Sequence, residues 1–184
     1  DGRNVWVFPH WNYPQYRSIY QDEKYEVLEN TKAIPRALLA SEYKLAKSKT
    51  EILEAIESEQ TNLQTTVVLE EKPEIEPKAG EGNVTILSYL PNYLEIRTSA
   101  SSPKLLFISD VFDSGWHASV NGKEEKIFRA NYAFRAVSVP SGDSTVRFWY
   151  LPKEFLIALI ISAVTLGFII IISVRKLIYD HRHL

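Results

Sequence analysis

The stretch Leu105–Pro152, LLFISDVFDSGWHASVNGKEEKIFRANYAFRAVSVPSGDSTVRFWYLP, decides the fold. Leu105 to Ser109 is a nearly continuous apolar run, the pattern of a strand covered on both faces. From Trp116 the period becomes two. Trp116, Ala118 and Val120 point one way, and His117 and Ser119 the other. Asn121-Gly122 follows, and both positions of a two-residue hairpin turn accept positive φ there. Glu125 to Ala130 reads as the return strand and Phe134 to Val139 as the next. Pro140-Ser141-Gly142-Asp143 is a turn. Thr145 to Tyr150 closes the series, with Val146, Phe148 and Tyr150 on one face and Arg147 and Trp149 on the other.

Upstream the same rhythm holds. Val84, Ile86 and Ser88 alternate with Thr85, Leu87 and Tyr89, Pro91-Asn92 turns the chain, and Leu94, Ile96 and Thr98 share a face of the next strand. Thr65 to Leu69 (TTVVL) is β-branched and strand-like. Glu70 to Gly82, charged and rich in Pro and Gly, is a surface loop. Ser48-Lys49-Thr50-Glu51 has capping-box spacing ahead of Ile52, Leu53 and Ile56, which predicts a short helix over about 49–59. The first twenty or so residues are aromatic, with Trp6, Phe8, Trp11, Tyr13, Tyr16 and Tyr20, and their prolines argue against a long helix. About eight short strands with tight turns predict a mainly β chain, an extracytoplasmic antiparallel β-sandwich or jelly-roll with one or two short helices. The expected boundaries are 1–64, an aromatic-rich irregular segment plus the helix, and 65–152, the sandwich.

Downstream lies Phe155–Val174, FLIALIISAVTLGFIIIISV, without a charged residue. Its roughly 20 residues span about 30 Å as a helix, the thickness of a bilayer's hydrocarbon core. A transmembrane helix over 153–176 and a tail over 177–184 are expected. Ser162, Thr165 and Ser173 can bond back to the preceding turn. Arg175, Lys176 and Arg182 follow the helix, whereas Lys153 and Glu154 cancel before it. The tail is therefore expected on the cytoplasmic side and residues 1–154 outside.

Composition excludes several classes. Net charge is −2, and the basic tail leaves residues 1–154 more acidic still, so nucleic acid is not an expected partner. There is no cysteine, hence no disulfide framework, thiolate metal site or cysteine nucleophile. That suits the outer face of a prokaryotic plasma membrane. There is no methionine either, not even at position 1, so the chain is expected to begin inside a longer protein or to follow processing.

The series Gly115-Trp116, Asn121-Gly122, Asn131, Arg135, Pro140 and Tyr150-x-Pro152 resembles the C-terminal region of the bacterial YfhO family of membrane proteins. Asn30 to Ala37 (NTKAIPRA) is similar to an upstream element of the same family, and the resemblance covers about Tyr25 to Val174. Asp143 stands where the family often has His, and Asp113-Ser114 replaces an aromatic-Pro pair. The resemblance implies a polytopic glycosyltransferase-like protein of the GT-C type, acting in glycosylation of cell-envelope polysaccharide or teichoic acid. It also implies a polyprenyl-phosphate sugar donor, an envelope polymer as acceptor, and other transmembrane helices of the same protein as partners beside the lipid bilayer. The family's catalytic acid lies in a loop near the N-terminus that nothing here matches. No catalytic residue, cofactor or metal is assigned to this chain, whose share would be acceptor binding or packing.

Four residues are candidates for a binding surface: Trp116, Arg135, Arg36 and Trp11. Trp116, in phase with Ala118 and Val120, suits the core, and a Trp also suits stacking on a sugar. Arg135 suits an ion pair with Asp110 or Glu125, or a phosphate or sugar carboxylate. Arg36 suits a clamp on loop carbonyls or a lipid-phosphate donor. Asp110, Asp113 and His117 have metal-ligand chemistry, but their placement on a bend and a strand favours turn capping and a surface His. Two alternatives from other classes stay open: a non-catalytic membrane-anchored interaction module and a carbohydrate-binding ectodomain.

Overall fold

The computed structural model describes residues 15–182. Of these, residues 15–35 form a unit of their own. In it β1 (Tyr16–Gln21) and β2 (Glu26–Asn30) make an antiparallel hairpin. Asp22 holds the turn, its Oδ1 accepting from the N–H groups of Lys24 and Tyr25 at 2.7 Å each. These backbone bonds, with one from Tyr20, hold the Asp22 carboxyl below its ordinary value. The reading of 1–64 as irregular apart from one helix is therefore corrected. The period-two run in Tyr16–Gln21 is short and exposed on both faces, so no hydrophobic alternation announces it.

From Arg36 onward the chain forms a second unit. Its elements are β3 (Ala37–Ala40), β4 (Glu42–Leu45), α1 (Lys49–Glu57), β5 (Thr66–Leu69), β6 (Gly82–Leu90), β7 (Tyr93–Ala100) and β8 (Lys104–Ile108), then β9 (Trp116–Val120), β10 (Lys123–Glu125), β11 (Phe128–Ala130), β12 (Phe134–Val139), β13 (Gly142–Tyr150) and α2 (Lys153–Arg182). One sheet runs β10-β9-β13-β7-β6 and the other β3-β8-β12-β11-β5-β4. Leu94, Ile96, Ala118, Val120, Val146 and Phe148 of the first pack against Leu106, Ile108, Val137 and Val139 of the second. This is the expected β-sandwich. Burying each of the larger side chains contributes about 1.5–3 kcal/mol.

Several details differ from the sequence reading. β3 and β4 lie ahead of residue 65 and belong to the sandwich. β4 and β5 pair in parallel, joined through α1, within an otherwise antiparallel pattern. The predicted return strand is two strands: β10 pairs with β9, whereas β11 pairs with β12 in the other sheet. The chain changes sheets at Lys126-Ile127. The local signals behave as expected. Ser48 caps α1, its Oγ accepting from Glu51 N–H at 3.2 Å while Glu51 Oε2 accepts from Lys47 N–H. Asn121 and Gly122 take φ of 54° and 82° in the β9–β10 turn.

α2 follows β13 after Leu151-Pro152. Its first part, Lys153–Arg175, holds an 18-residue stretch of mean hydropathy 3.0 that is unburied, which makes it long and apolar enough to cross a bilayer. Ser162 and Thr165 donate to Ala158 O and Ile161 O at 2.8 and 2.9 Å, so their hydroxyls are satisfied within the helix. The helix runs on to Arg182, past the expected start of the tail.

Candidate functional site

The sandwich carries an ion cluster at the end nearest α2. Arg135 begins the inward row of β12, in phase with Val137 and Val139. Its side chain is 1% exposed, between the two sheets. The guanidinium carbon lies 4.0 Å from the Trp116 ring centre and 5.3 Å from that of Phe148, both on the opposite sheet. Nη2 donates to Asp110 Oδ2 at 2.9 Å. Asp110, just beyond β8, accepts on its other oxygen from Arg36 Nη1 at 2.7 Å and from the Tyr89 hydroxyl at 2.9 Å. Arg36 also donates to that hydroxyl at 2.8 Å and covers the Tyr89 ring.

Two guanidinium groups thus share one carboxylate. No acceptor among the described residues reaches Arg135 Nε or Nη1. Burial pulls the Arg135 pKa below its ordinary value, and Asp110 opposes that shift. Burial and the bond to Asp110 raise that of Tyr89. Beside the cluster is a hollow of about 240 Å³ lined by Tyr89, Asp110, Arg135 and Trp116, with Leu90, Pro91, Leu94 and Val111 as its apolar wall.

The hollow lies next to the start of α2. Tyr150, the last residue of β13, pairs with Trp116, and their rings are 5.3 Å apart. Leu151 N–H donates to Gly115 O and Tyr150 N–H to Asn92 O, at 2.8 and 3.0 Å. A Cβ on Gly115 would sit 2.7 Å from the Tyr150 ring and 3.0 Å from Pro152 Cβ. Glycine is required here by close approach, and strand and helix leave the sandwich pinned to it.

Of the predicted residues, the structure brings Trp116, Arg135 and Arg36 together; Trp11 lies outside the described residues. Arg135 takes Asp110 of the two carboxylates expected for it, and Arg36 takes that carboxylate in place of loop carbonyls. Trp116 packs on the core, the first of its two readings, and it also lines the hollow. Asp110, Asp113 and His117 diverge. Asp113 Oδ1 accepts from Gly115 N–H at 2.8 Å, and His117 stacks on Trp149 with 5.6 Å between ring centres. Among the described residues no cluster of three or more metal-ligating side chains is arranged to hold an ion.

Tyr89 was not foreseen. The β6–β7 register shifts between Ile86 and Ser88, so Ile86 pairs with Ile96 and Tyr89 with Leu94. The bulge turns Tyr89 onto the face of Leu94; strict alternation would put it on the other. A row of rings on the outer face also went unread: Trp149 pairs with Tyr93 on one side and His117 on the other. Beside it Glu95 accepts from the Tyr93 hydroxyl and from Arg147 Nε.

Residues 77–162 match the family described as bacterial membrane protein YfhO. Over that segment, just under half of its length, the chain is similar to the YfhO family. A protein of Bacillus subtilis (strain 168), named as uncharacterized protein YfhO, is 32% identical over 80 residues. The match covers 44% of this chain and 9% of that protein's length. No solved structure matches. The YfhO segment holds Tyr89, Asp110, Gly115, Trp116 and Arg135 and runs into α2, while Arg36 lies outside it. The family's description as a membrane protein agrees with the apolar helix.

Proposed function

We propose that this chain is the membrane-seated extracytoplasmic domain, with its adjoining transmembrane helix, of a YfhO-family glycosyltransferase-like protein of the GT-C type. That protein acts in glycosylation of cell-envelope polysaccharide or teichoic acid, using a polyprenyl-phosphate sugar donor. The sandwich serves acceptor binding or packing against the other membrane helices of the whole protein. One observation carries the reading: β13 passes into α2 through a pinned junction, and the Trp116–Arg135 hollow opens beside it. A rigid domain so joined sits against the bilayer, where lipid-linked chemistry occurs. The charges of Arg175 and Lys176 after the span favour an exterior sandwich.

The test is made in a bacterium carrying the full-length gene. The glycosyl content of extracted envelope polymer is measured for wild type, for a gene deletion, and for a full-length Trp116→Ala variant present at wild-type level. Loss in the deletion together with a large loss in the variant supports the reading. Unchanged glycosyl content in the deletion overturns it. A second reading, a carbohydrate-binding ectodomain, draws on the ring row Tyr93, Trp149 and His117 with Glu95 and Arg147 beside it. Polysaccharide binding that is absent, or is unchanged in Trp149→Ala, counts against that reading.

A further inference from the structure

We propose that the hollow between Tyr89, Asp110, Trp116 and Arg135 is a binding site for the phosphodiester headgroup of an anionic phospholipid of the bilayer in which α2 sits. The inference uses the membrane placement above and is independent of glycosyl transfer.

Charge is the first argument. Arg36 and Arg135 face one carboxylate, so the cluster is one negative charge short. Arg135 Nε and Nη1, both buried, have no acceptor among the described residues. Arg36 is half exposed, at 51%, and can hold a phosphate oxygen while keeping Asp110 on the same fork. Trp116 and Phe148 hold the second guanidinium in place beneath it. Such a site attracts a monoanion and gains little from a neutral group.

Shape and position supply the source. At about 240 Å³ the hollow is below the roughly 300–1,000 Å³ that encloses a drug-sized ligand, so it suits a phosphodiester better than a sugar chain. Its mouth is apolar on both sides: Leu90 at the end of β6 is 55% exposed and Val111 on the β8–β9 loop 68%. Exposed apolar lips around a cationic floor fit an amphiphile whose glycerol and chains lie outward. The lips stand beside Tyr150 and Leu151, within three residues of α2, so they meet the bilayer at headgroup depth. A free phosphate would have no use for them.

The experiment places the full chain in nanodiscs of equal parts phosphatidylglycerol and phosphatidylcholine, releases it, and measures the lipid retained by native mass spectrometry. Phosphatidylglycerol should be retained in preference. Arg36→Gln should lower its retention roughly tenfold, the loss of one charged hydrogen bond. Arg97→Gln removes the same charge from an exposed site on β7 and should leave retention unchanged. Val111→Asp, which alters the lip without touching the cluster, should also lower it. Equal retention of the two lipids, or equal effects of Arg36→Gln and Arg97→Gln, overturns the proposal. Complete displacement by millimolar glycerol phosphate also overturns it, by making a soluble phosphate ester the ligand.

Discussion

Removing Asp110 should harm the fold far more than removing Arg135, though the two form one ion pair. In Asp110→Ala the Arg135 guanidinium stays 1% exposed between the sheets and loses its only protein acceptor among the described residues. Leaving a buried charge uncompensated costs about 3–5 kcal/mol. The nearby ring faces of Trp116 and Phe148 offset part, so about 3 kcal/mol is expected. In Arg135→Met the flexible thioether fills the same space. Asp110 is 16% exposed and keeps Arg36 and Tyr89, so no charge is stranded. The variant loses a cation–π contact worth about 1–2 kcal/mol and sheds a desolvation cost of similar size, for a net change within about 1 kcal/mol. The double variant should then resemble Arg135→Met, with a coupling of about 2 kcal/mol or more. Urea unfolding of the chain in micelles, followed by tryptophan emission, reads this as a shift in midpoint at constant slope. Equal losses in the two single variants, or a larger loss in Arg135→Met, would show that no buried charge is stranded in Asp110→Ala.

Other sites give smaller tests. Gly115→Ala forces a Cβ against Tyr150 and Pro152 and should cost about 1–3 kcal/mol, seen as a lower thermal midpoint. Gly122 holds φ +82° with open space around it, so Gly122→Ala should cost about 1 kcal/mol from backbone strain alone. Burial, with Glu74 nearby, raises the Glu125 carboxyl above its ordinary value. Ionising it therefore opposes folding above the unfolded carboxylate pKa, and protonation relieves this as pH falls. Glu125→Gln should be more stable than wild type at pH 7, with the difference gone below about pH 4. Glu51 is the opposite case: bonds from Lys47 N–H and Ser48 lower its pKa. Its contribution is present above the unfolded value and lost as pH falls through the folded one, so Glu51→Gln should flatten acid unfolding on that side.

The parts legible in the sequence are those whose cause is local. The Asn121-Gly122 turn, the Ser48 cap and the alternation of Leu94, Ile96 and Thr98 depend on neighbours in the chain, and each stands where its pattern places it. The split of Lys123–Ala130 between two sheets depends on where β11 finds partners in β5 and β12, and period-two alternation carries no trace of that. β3 and β4 are four residues each, too short for a periodic signal. At the site, Arg135 was readable as half of an ion pair because an arginine inside an apolar strand needs a carboxylate, and only a few were near. Tyr89 was not, because one bulged residue reverses its face.

The seat proposed for the ion-cluster end of the sandwich is the bilayer surface. The chain has no cysteine, so a single one can be placed at will. Val111→Cys stands at the mouth of the hollow. Asp143→Cys stands at the opposite end of β13, whose 9 residues put it about 30 Å from the helix junction. Each is labelled with bimane in vesicles containing headgroup-nitroxide lipid. Strong quenching is expected at Val111→Cys and almost none at Asp143→Cys; equal quenching at both, or quenching at neither, would mean that this end of the sandwich does not rest on the bilayer.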